Sequence, residues 1–193
     1  MVAQSRSASQ FHIRGATPKD LTALAEILAD SFHSRTGING WIYPVLRLGI
    51  YEDIRNRLNK ASPHYVCLVA VVSPTSRPNT WDYPAGTVEM SLRSKYPWPL
   101  DSSQYPYLSN LAVHQDCRRQ GAAKQLLLKC ESIALTWGFQ DLYLHVLENN
   151  HKAQSLYFKL GYRLHESDRS WGSLLLGQPR RLLLHKRLHA RTG

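Results

Sequence analysis

The sequence predicts a single α/β domain, and three observations support this prediction. The chain has 193 residues, which is enough for one domain with a complete core, and no linker-like stretch divides it. Residues 107–162 alternate between strand and helix patterns without a long gap. The remaining residues add short apolar segments that are punctuated by proline and glycine. We expect the domain to cover residues 11–188, between flexible ends at residues 1–10 and 189–193.

The first predicted elements are a short strand and two helices. Residues 11–14 alternate between apolar and polar side chains, and Thr17-Pro18 has the pattern of an N-cap followed by proline at the first helical position. Helical spacing then predicts a buried stripe of Leu21, Leu24, Ala25, Leu28 and Phe32. A second helix is predicted within residues 44–60, where the stripe is Leu46, Ile50, Ile54 and Leu58.

Two apolar runs rich in β-branched residues follow, at residues 65–72 and 85–92, and predict a pair of buried strands. Residues 73–84 between them contain three prolines, so we expect a loop there. Residues 33–43 and 97–106 carry aromatic side chains in loop-like surroundings. Each of these two segments either lines an acceptor pocket or serves as an anchor or spacer, and the sequence leaves both alternatives open.

The centre of the chain is a strand, a turn and a helix. Residues 107–114 are mainly apolar and are followed by a polar turn at residues 118–123. The next residues show helical periodicity and end at Gly138, a natural helix stop. The predicted buried stripe of this helix is Ala123, Leu126, Leu127, Cys130, Ile133, Ala134 and Trp137.

The last elements are a strand, a helix and a closing hairpin. The strand covers residues 142–146, and Asn149 or Asn150 caps a helix that ends at Gly161. Its inner face carries Ala153, Leu156, Tyr157 and Leu160. Residues 162–165 and 181–188 form the hairpin, so the predicted order is β-α-α-β-β-β-α-β-α-β-β.

Charge and cysteine content narrow the classes of function. The formal net charge is +10, which favours acidic partners such as nucleic acid, anionic membrane or a small ligand with several phosphates. No motif for specific nucleic-acid binding is visible, and no apolar run approaches the roughly 20 residues of a membrane span. Three cysteines without paired spacing predict neither a disulfide framework nor a metal site. Cys67 and Cys130 are predicted core residues, and Cys117 lies in the polar turn.

The turn before the central helix has the features of a phosphate site. Helix N-termini present unpaired backbone N–H groups and a favourable dipole for an anion. Small residues at Gly121 and Ala123 would let a diphosphate approach these groups, and Arg118 and Arg119 would add positive charge at the rim. The spacing fits neither the dinucleotide fingerprint nor the P-loop.

These residues resemble the GNAT superfamily of acyl-CoA-dependent N-acetyltransferases. Arg118-x-x-Gly121-x-Ala123 fits the family's pyrophosphate loop, and Asn150-x-x-Ala153-x-x-Leu156-Tyr157 fits a second family element. The resemblance implies a mixed, mostly antiparallel sheet of six or seven strands, flanked by four helices, with a splay between strands 4 and 5. It also implies that acetyl-CoA is the co-substrate. The implied cofactor-binding residues are Leu111, Ala112, Val113, Arg118, Arg119, Gln120, Gly121, Ala122, Ala123, Lys124, Asn150 and Tyr157.

The resemblance further implies three catalytic residues. In NatE-type N-terminal acetyltransferases, a tyrosine eleven residues before the loop and a histidine in an L-H-V strand end bind the water that acts as base, and Tyr107 and His145 match these placements. Tyr157 matches the general acid that meets the thiolate. Plastid and cyanobacterial GNATs carry sequences like YLSNLAV and LYLHV, which occur here. The resemblance therefore implies a protein N-acetyltransferase of the cytoplasm or plastid stroma.

Acceptor class remains open at this stage. Transfer to N-terminal α-amines, to lysine ε-amines or to both is compatible with the motifs, and so is the same fold acting on a small amine. A non-enzymatic module that senses CoA or binds nucleic acid is a further alternative. Oligomeric state is not encoded in any of these motifs.

Overall fold

The computed structural model describes residues 11–32, 43–60, 62–72, 83–94, 104–167 and 179–189. Within these ranges, four α-helices and seven strands follow each other in the predicted order. Their bounds are β1 Phe11–Gly15, α1 Leu21–Phe32, α2 Tyr43–Asn59, β2 Tyr65–Val72, β3 Tyr83–Ser94, β4 Gln104–Val113, α3 Ala122–Thr136, β5 Asp141–Leu147, α4 His151–Lys159, β6 Arg163–Ser167 and β7 Arg181–Arg187.

The seven strands form one sheet in the order β1-β2-β3-β4-β5-β7-β6. β1 pairs antiparallel with β2, and β7 pairs antiparallel with both β5 and β6. β4 and β5 are parallel, with Tyr107 opposite Tyr143 and Leu108 opposite Leu144. The predicted mixed, mostly antiparallel sheet with four helices is confirmed, whereas the splay between strands 4 and 5 stays a prediction.

The chain divides into two compact units. The first comprises residues up to Ser62, Val66–Val88 and Asn110–Leu126. The second comprises Pro63–Tyr65, Glu89–Ser109 and the residues from Leu127 onward. The prediction of a single domain over residues 11–188 stays a prediction, and residues 1–10 and 190–193 lie outside the described residues.

The first unit is built around α1. The helix buries Leu21, Leu24, Ala25 and Leu28 as predicted, and it also buries Ile27 and Ala29. The side chain of Phe32 lies outside the described residues. In α2 the predicted stripe is the least exposed side of the helix, with Ile54 fully buried. Tyr43 begins α2 and donates a hydrogen bond to Asp30 Oδ1 at 2.6 Å, which joins the two helices.

The N-terminus of α1 carries a capping arrangement. Asp20 accepts hydrogen bonds from Thr17 N and Thr17 Oγ1 at 2.7 and 2.8 Å. Arg14 donates to both Asp20 oxygens, at 2.7 and 2.8 Å. Burial disfavours the charged carboxylate, but these hydrogen bonds outweigh it and hold the pKa of Asp20 below its ordinary value.

The second unit contains β5, β6 and β7, parts of β3 and β4, the larger part of α3, and α4. In β5 the buried residues alternate with half-buried ones, so Leu142, Leu144 and Val146 face one side while Tyr143 and His145 face the other. Lys186 donates to Glu131 at 2.7 Å and ties β7 to α3. The largest fully buried hydrophobic side chains of this unit are Met90, Leu127, Leu142, Leu144, Tyr162 and Leu184.

Two boundary predictions were wrong. Pro84 and Pro106 were expected in loops, but β3 already includes Pro84 and β4 already includes Pro106. Proline is tolerated near the start of a strand, where its missing N–H removes little of the ladder. In α3 the fully buried residue of the first turn is Ala122, with Ala123 half-buried. Residues 33–42, 73–82 and 95–103, which hold most of the loop predictions, lie outside the described residues.

Candidate active site

The predicted phosphate turn lies in the first unit, directly before α3. A short 3-10 helix, Gln115–Cys117, is followed by a turn in which Arg119 has φ 64° and Gly121 has φ 95°. Both residues therefore adopt the left-handed backbone conformation, which glycine adopts freely and arginine does not. A Cβ added at Gly121 would meet nothing within 4 Å, so the backbone conformation is what favours glycine here.

This turn delivers the chain into the N-terminus of α3. The hydrogen bond from Gln125 N to Gly121 O, at 3.0 Å, opens the helix, and the N–H groups of its first residues precede any intrahelical partner. The first turn contains no acidic residue. Gly121 and Lys124 are exposed, Ala122 is buried and Ala123 is half-buried. The helix dipole and the small side chains make this end of α3 suitable for a phosphate.

Side chains of the turn brace its backbone. Arg118 Nε donates to Val113 O at 3.0 Å, and Gln120 Nε2 donates to Asp116 O at 2.9 Å. Arg118 is thus more than the rim charge predicted from the sequence, because it also fixes the end of β4 against the turn. Arg119 is exposed.

The predicted cofactor strand segment, Leu111 to Val113, ends β4 in the same unit. Asn110, just before it, has φ 54°, so the strand departs from regular extended geometry at that point. Gly86 on β3 lies against the segment, where a Cβ would come within 2.8 Å of Ala112 O. Sequence reasoning missed both residues, although a glycine inside an apolar strand is a known signal of close backbone approach.

Tyr107 and His145 meet in the second unit. The parallel register places Tyr107 opposite Tyr143, and His145 lies two residues further along β5 on the same face. Tyr107 Oη lies 2.8 Å from His145 Nδ1, and Tyr107 is only 4% exposed. With the imidazole proton on Nε2, Tyr107 donates this hydrogen bond and Nδ1 accepts it.

Tyr157 lies on α4 in the same unit and is buried, with 7% exposure. Burial raises the pKa of Tyr157 to about 12, and the Tyr107 phenol adds to the effect. Its ring makes an edge contact with Tyr162, with centroids 5.8 Å apart. Tyr157 therefore stays protonated at any physiological pH.

Asn150 has a structural task at the start of α4. Its Oδ1 accepts a hydrogen bond from Ala153 N at 3.1 Å, which makes it the N-cap. Because the oxygen is used in this way, the amide nitrogen is the part of the side chain suited to contact a cofactor.

Arg93 is a further residue at this site that the sequence did not indicate. Its guanidinium carbon lies 3.5 Å from the centroid of the Tyr107 ring. The sequence predicted that this strand ends at residue 92, so Arg93 was not included. Periodicity along one segment does not predict a contact between side chains on two separate strands.

The cysteines show no sign of a nucleophile. Cys67 and Cys130 are buried. Burial raises the pKa of the half-buried Cys117 thiol, and the nearby Asp116 carboxylate raises it further.

Among the residues that the structure describes, no three His, Cys, Asp or Glu side chains are grouped so as to hold a metal ion. No helix within the described ranges has the length and hydropathy needed to cross a bilayer.

Comparison with known proteins identifies the family. The model of the acetyltransferase (GNAT) family matches residues 21–162. The chain therefore belongs to the GNAT family of N-acetyltransferases, whose co-substrate is acetyl-CoA. This confirms the family, the reaction class and the co-substrate that the sequence motifs indicated.

Relatives and solved structures agree with this assignment. GCN5-related N-acetyltransferase 10, chloroplastic, of Arabidopsis thaliana is 29% identical over 177 residues, covering 87% of this chain and 68% of that protein. The structure of Arabidopsis thaliana NAA60 in complex with acetyl-CoA superposes with a TM-score of 0.67 at 21% identity, covering 94% of this chain and all of that one. The PaiA N-acetyltransferase of Thermoplasma acidophilum, in complex with coenzyme A, gives a TM-score of 0.67 at 19% identity, covering 92% and 99% of the two chains.

Proposed function

We propose that this chain transfers the acetyl group of acetyl-CoA directly to amines of proteins, at N-terminal α-amines, lysine ε-amines or both. The 2.8 Å hydrogen bond between Tyr107 and His145 supports the proposal most directly. It joins the buried Tyr107 phenol to the half-buried His145 imidazole, a group that can accept the proton that a protonated amine must lose.

The need for a base follows from the amine's own acidity. The attacking nitrogen must be neutral, and an α-amine with a pKa of about 7.7 costs roughly 1 kcal/mol to deprotonate at pH 7. A lysine with a pKa of about 10.4 costs roughly 4 to 5 kcal/mol. The Tyr107–His145 pair accepts one proton: the amine proton, directly or through a water, goes to Tyr107 Oη as the phenol proton moves to His145 Nδ1. The products are a neutral amine and an imidazolium.

The neutral amine then attacks the thioester carbonyl carbon. As the C–N bond forms and the C–S bond breaks, the second proton of the amine nitrogen passes to the leaving sulfur, so the products are an amide and the free thiol of coenzyme A. A direct transfer of this kind needs no acyl-enzyme, which agrees with the raised pKa of Cys117 and the burial of the other two cysteines. Tyr157 is the group that we assign to the departing thiolate, to which its hydroxyl donates a hydrogen bond. The turn at Gly121 and the N-terminus of α3 are assigned to the pyrophosphate.

A small amine is the second candidate acceptor. An open, shallow depression lined by Glu148, Asn149, His151 and Pro179 lies at the end of β5 that follows His145. Such an open surface is accessible to a small amine and to the first residues of a peptide alike. The carboxylate of Glu148 suits a cationic ligand of either kind.

Turnover of acetyl-CoA with a panel of acceptors tests the proposal. The panel contains peptides with free N-termini, peptides with blocked N-termini and one lysine, and small amines including polyamines. Mass spectrometry locates the acetyl group on each product. Acetylation of small amines alone, with no product on any peptide, would replace the proposed acceptor class by the second candidate.

The relative named above is a chloroplastic protein. This supports a plastid location for the present chain, if its source is photosynthetic, over the cytoplasmic alternative. Imaging of a fluorescent fusion to the protein in its own cells would decide between the two locations.

A further inference from the structure

Arg93 stands at the exposed end of β3, and its guanidinium carbon lies over the Tyr107 ring, 3.5 Å from the ring centroid. Tyr107 itself is 4% exposed. An arginine over the face of a tyrosine makes a cation–π contact, and at this distance its packing against the ring restricts rotation of the ring. The positively charged guanidinium group of Arg93 thus covers one face of the Tyr107 ring.

The position of that ring decides whether the Tyr107 hydroxyl reaches His145. The two ring centroids are 5.6 Å apart and tilted by 51°, and the hydroxyl bridges them with a 2.8 Å hydrogen bond. A hydrogen bond of this kind weakens steeply when its angle departs from linearity, so a small swing of the phenol would lose it. The contact of Arg93 is with the ring of Tyr107, so a change at Arg93 reaches the hydrogen bond to His145 through the phenol.

We propose that Arg93 is a positioning residue for the Tyr107–His145 pair, a role that rests on the proposed function of that pair. Its packing against the ring fixes the phenol in the orientation from which the hydroxyl proton passes to His145 Nδ1. Its charge, placed over the ring, also offsets the negative charge that builds on the phenol oxygen while one O–H bond breaks and the bond to the amine proton forms. Tyr107 ends this exchange neutral, and His145 ends it protonated.

The decisive experiment combines Arg93→Met with Tyr107→Phe. Arg93→Met keeps a long side chain over the ring but removes the charge and the planar guanidinium group. We expect kcat to fall by about threefold to tenfold, with the KM for acetyl-CoA unchanged. In the Tyr107→Phe background the same substitution should change kcat by less than about 1.5-fold, because the hydroxyl it positions is gone.

Two further variants serve as controls. Arg187→Met removes the same charge from an exposed arginine that pairs with Asp141 and Gln140 in the same unit, and kcat should not change. Arg93→Lys restores the charge without the planar guanidinium group and should recover part of the loss. A kcat of Arg93→Met equal to that of the wild type, or the same fractional loss with and without the Tyr107 hydroxyl, would overturn the proposal.

A spectroscopic measurement tests the proposal without any acceptor. The imidazole ¹⁵N signals of His145, assigned with His145→Gln, report the hydrogen bond at Nδ1. They should shift in Arg93→Met and stay unchanged in Arg187→Met. Identical His145 signals in wild type and Arg93→Met would overturn the role of Arg93. Absence of acetylation by the wild type on every amine would instead count against the proposed function, and the spectra would still decide the role of Arg93.

Discussion

The Tyr107 phenol acts on Tyr157 inside the second unit, since it adds to the burial that raises the pKa of Tyr157 to about 12. A thiol such as that of coenzyme A has a pKa near that of cysteine, about 8.5. Full transfer of the Tyr157 proton to the thiolate would therefore be uphill. A hydrogen bond from Tyr157 that stabilises the developing negative charge is the more favourable role.

We predict that Tyr157→Phe lowers turnover by at least about tenfold, and by the same factor from pH 6 to pH 9. The reason is that Tyr157, with a pKa of about 12, is protonated throughout this range. Steady-state kinetics across the range measure the factor. A loss that disappears at high pH would show that Tyr157 acts in proton transfer from the amine and not on the thiolate.

Tyr162→Phe is a matched control for this variant. The Tyr162 hydroxyl is buried near the Glu131 carboxylate, and burial, followed by the charge of Glu131, raises its pKa well above the ordinary value. Removing that hydroxyl should leave turnover within about twofold of the wild type, because the contact with Tyr157 is made by the ring, which phenylalanine keeps. A comparable loss in both variants would mean that packing, and not the Tyr157 hydroxyl, is responsible.

The turn before α3 gives a prediction on cofactor binding. Gly121→Glu places bulk and negative charge where the pyrophosphate is assigned, on a residue whose φ of 95° already disfavours any side chain. We expect acetyl-CoA affinity to fall by more than about 100-fold in isothermal titration calorimetry.

Gly138→Glu controls for this change. Gly138 has φ 86°, and an added Cβ there also meets nothing within 4 Å. Gly138→Glu therefore introduces the same kind of backbone strain and the same negative charge as Gly121→Glu. It lies at the other end of α3, where no anion is assigned. The control should bind acetyl-CoA like the wild type. If Gly121→Glu also does so, the phosphate assignment must be dropped.

These sites show what a sequence can and cannot predict. The glycine of the turn and the cap of α4 are local, because backbone conformation and hydrogen bonds within three residues determine them. The glycine was predicted, and the cap was narrowed to Asn149 or Asn150, of which the structure shows Asn150. The contact of Arg93 with Tyr107 joins residues on separate strands, and no periodicity marks it. The left-handed Asn110 lies in an otherwise regular apolar run, so its sequence resembles an unbroken strand. The Tyr107–His145 contact was reached through family motifs, since a lone histidine in a strand indicates no partner.

Asp20 makes a prediction on stability. At pH 7, Asp20→Asn should lower the free energy of unfolding by about 1 to 3 kcal/mol, because it weakens the hydrogen bonds from Arg14 and Thr17 to a buried carboxylate. The lowered pKa of Asp20 means that its contribution is present above the unfolded value of about 3.9 and is lost as the pH falls through the folded value. Urea unfolding at several pH values measures this.

Glu26→Gln is the control, because Glu26 pairs with Arg47 at 2.8 Å while both side chains are almost half exposed. It should cost less than about 1 kcal/mol at any pH. An Asp20→Asn deficit that stays constant from pH 7 to pH 3 would contradict the linkage argument.

The pH dependence of the acetylation rate should distinguish α-amine acceptors from lysine acceptors. Near neutral pH we expect peptide α-amines to be acetylated faster than lysine side chains, because lysine carries the larger cost of deprotonation. The gap should narrow as pH rises. Quantitative mass spectrometry of one peptide carrying both a free N-terminus and a lysine measures the two rates together. Product found only on lysine at pH 7 would remove the α-amine preference.

His145 and Tyr107 should behave as one proton acceptor. His145→Ala should lower turnover most at low pH, where the amine is protonated and needs its base, and the loss should partly recover at high pH. The affinity for acetyl-CoA should change little, because the pyrophosphate is assigned to the turn at Gly121 and not to His145. A general base is typically worth about 10² to 10⁴ in rate, so an effect below about threefold would make His145 a structural residue.

The double variant decides whether the hydrogen bond between these residues is what matters. If Tyr107 passes a proton to His145 through the 2.8 Å contact, removing either group disables the same step. Tyr107→Phe combined with His145→Ala should then be little slower than His145→Ala alone. Turnover of the single and double variants, measured at pH 6 and pH 9, gives the coupling. Losses that multiply at both pH values would show two independent roles, and the assignment of the pair as the base would fail.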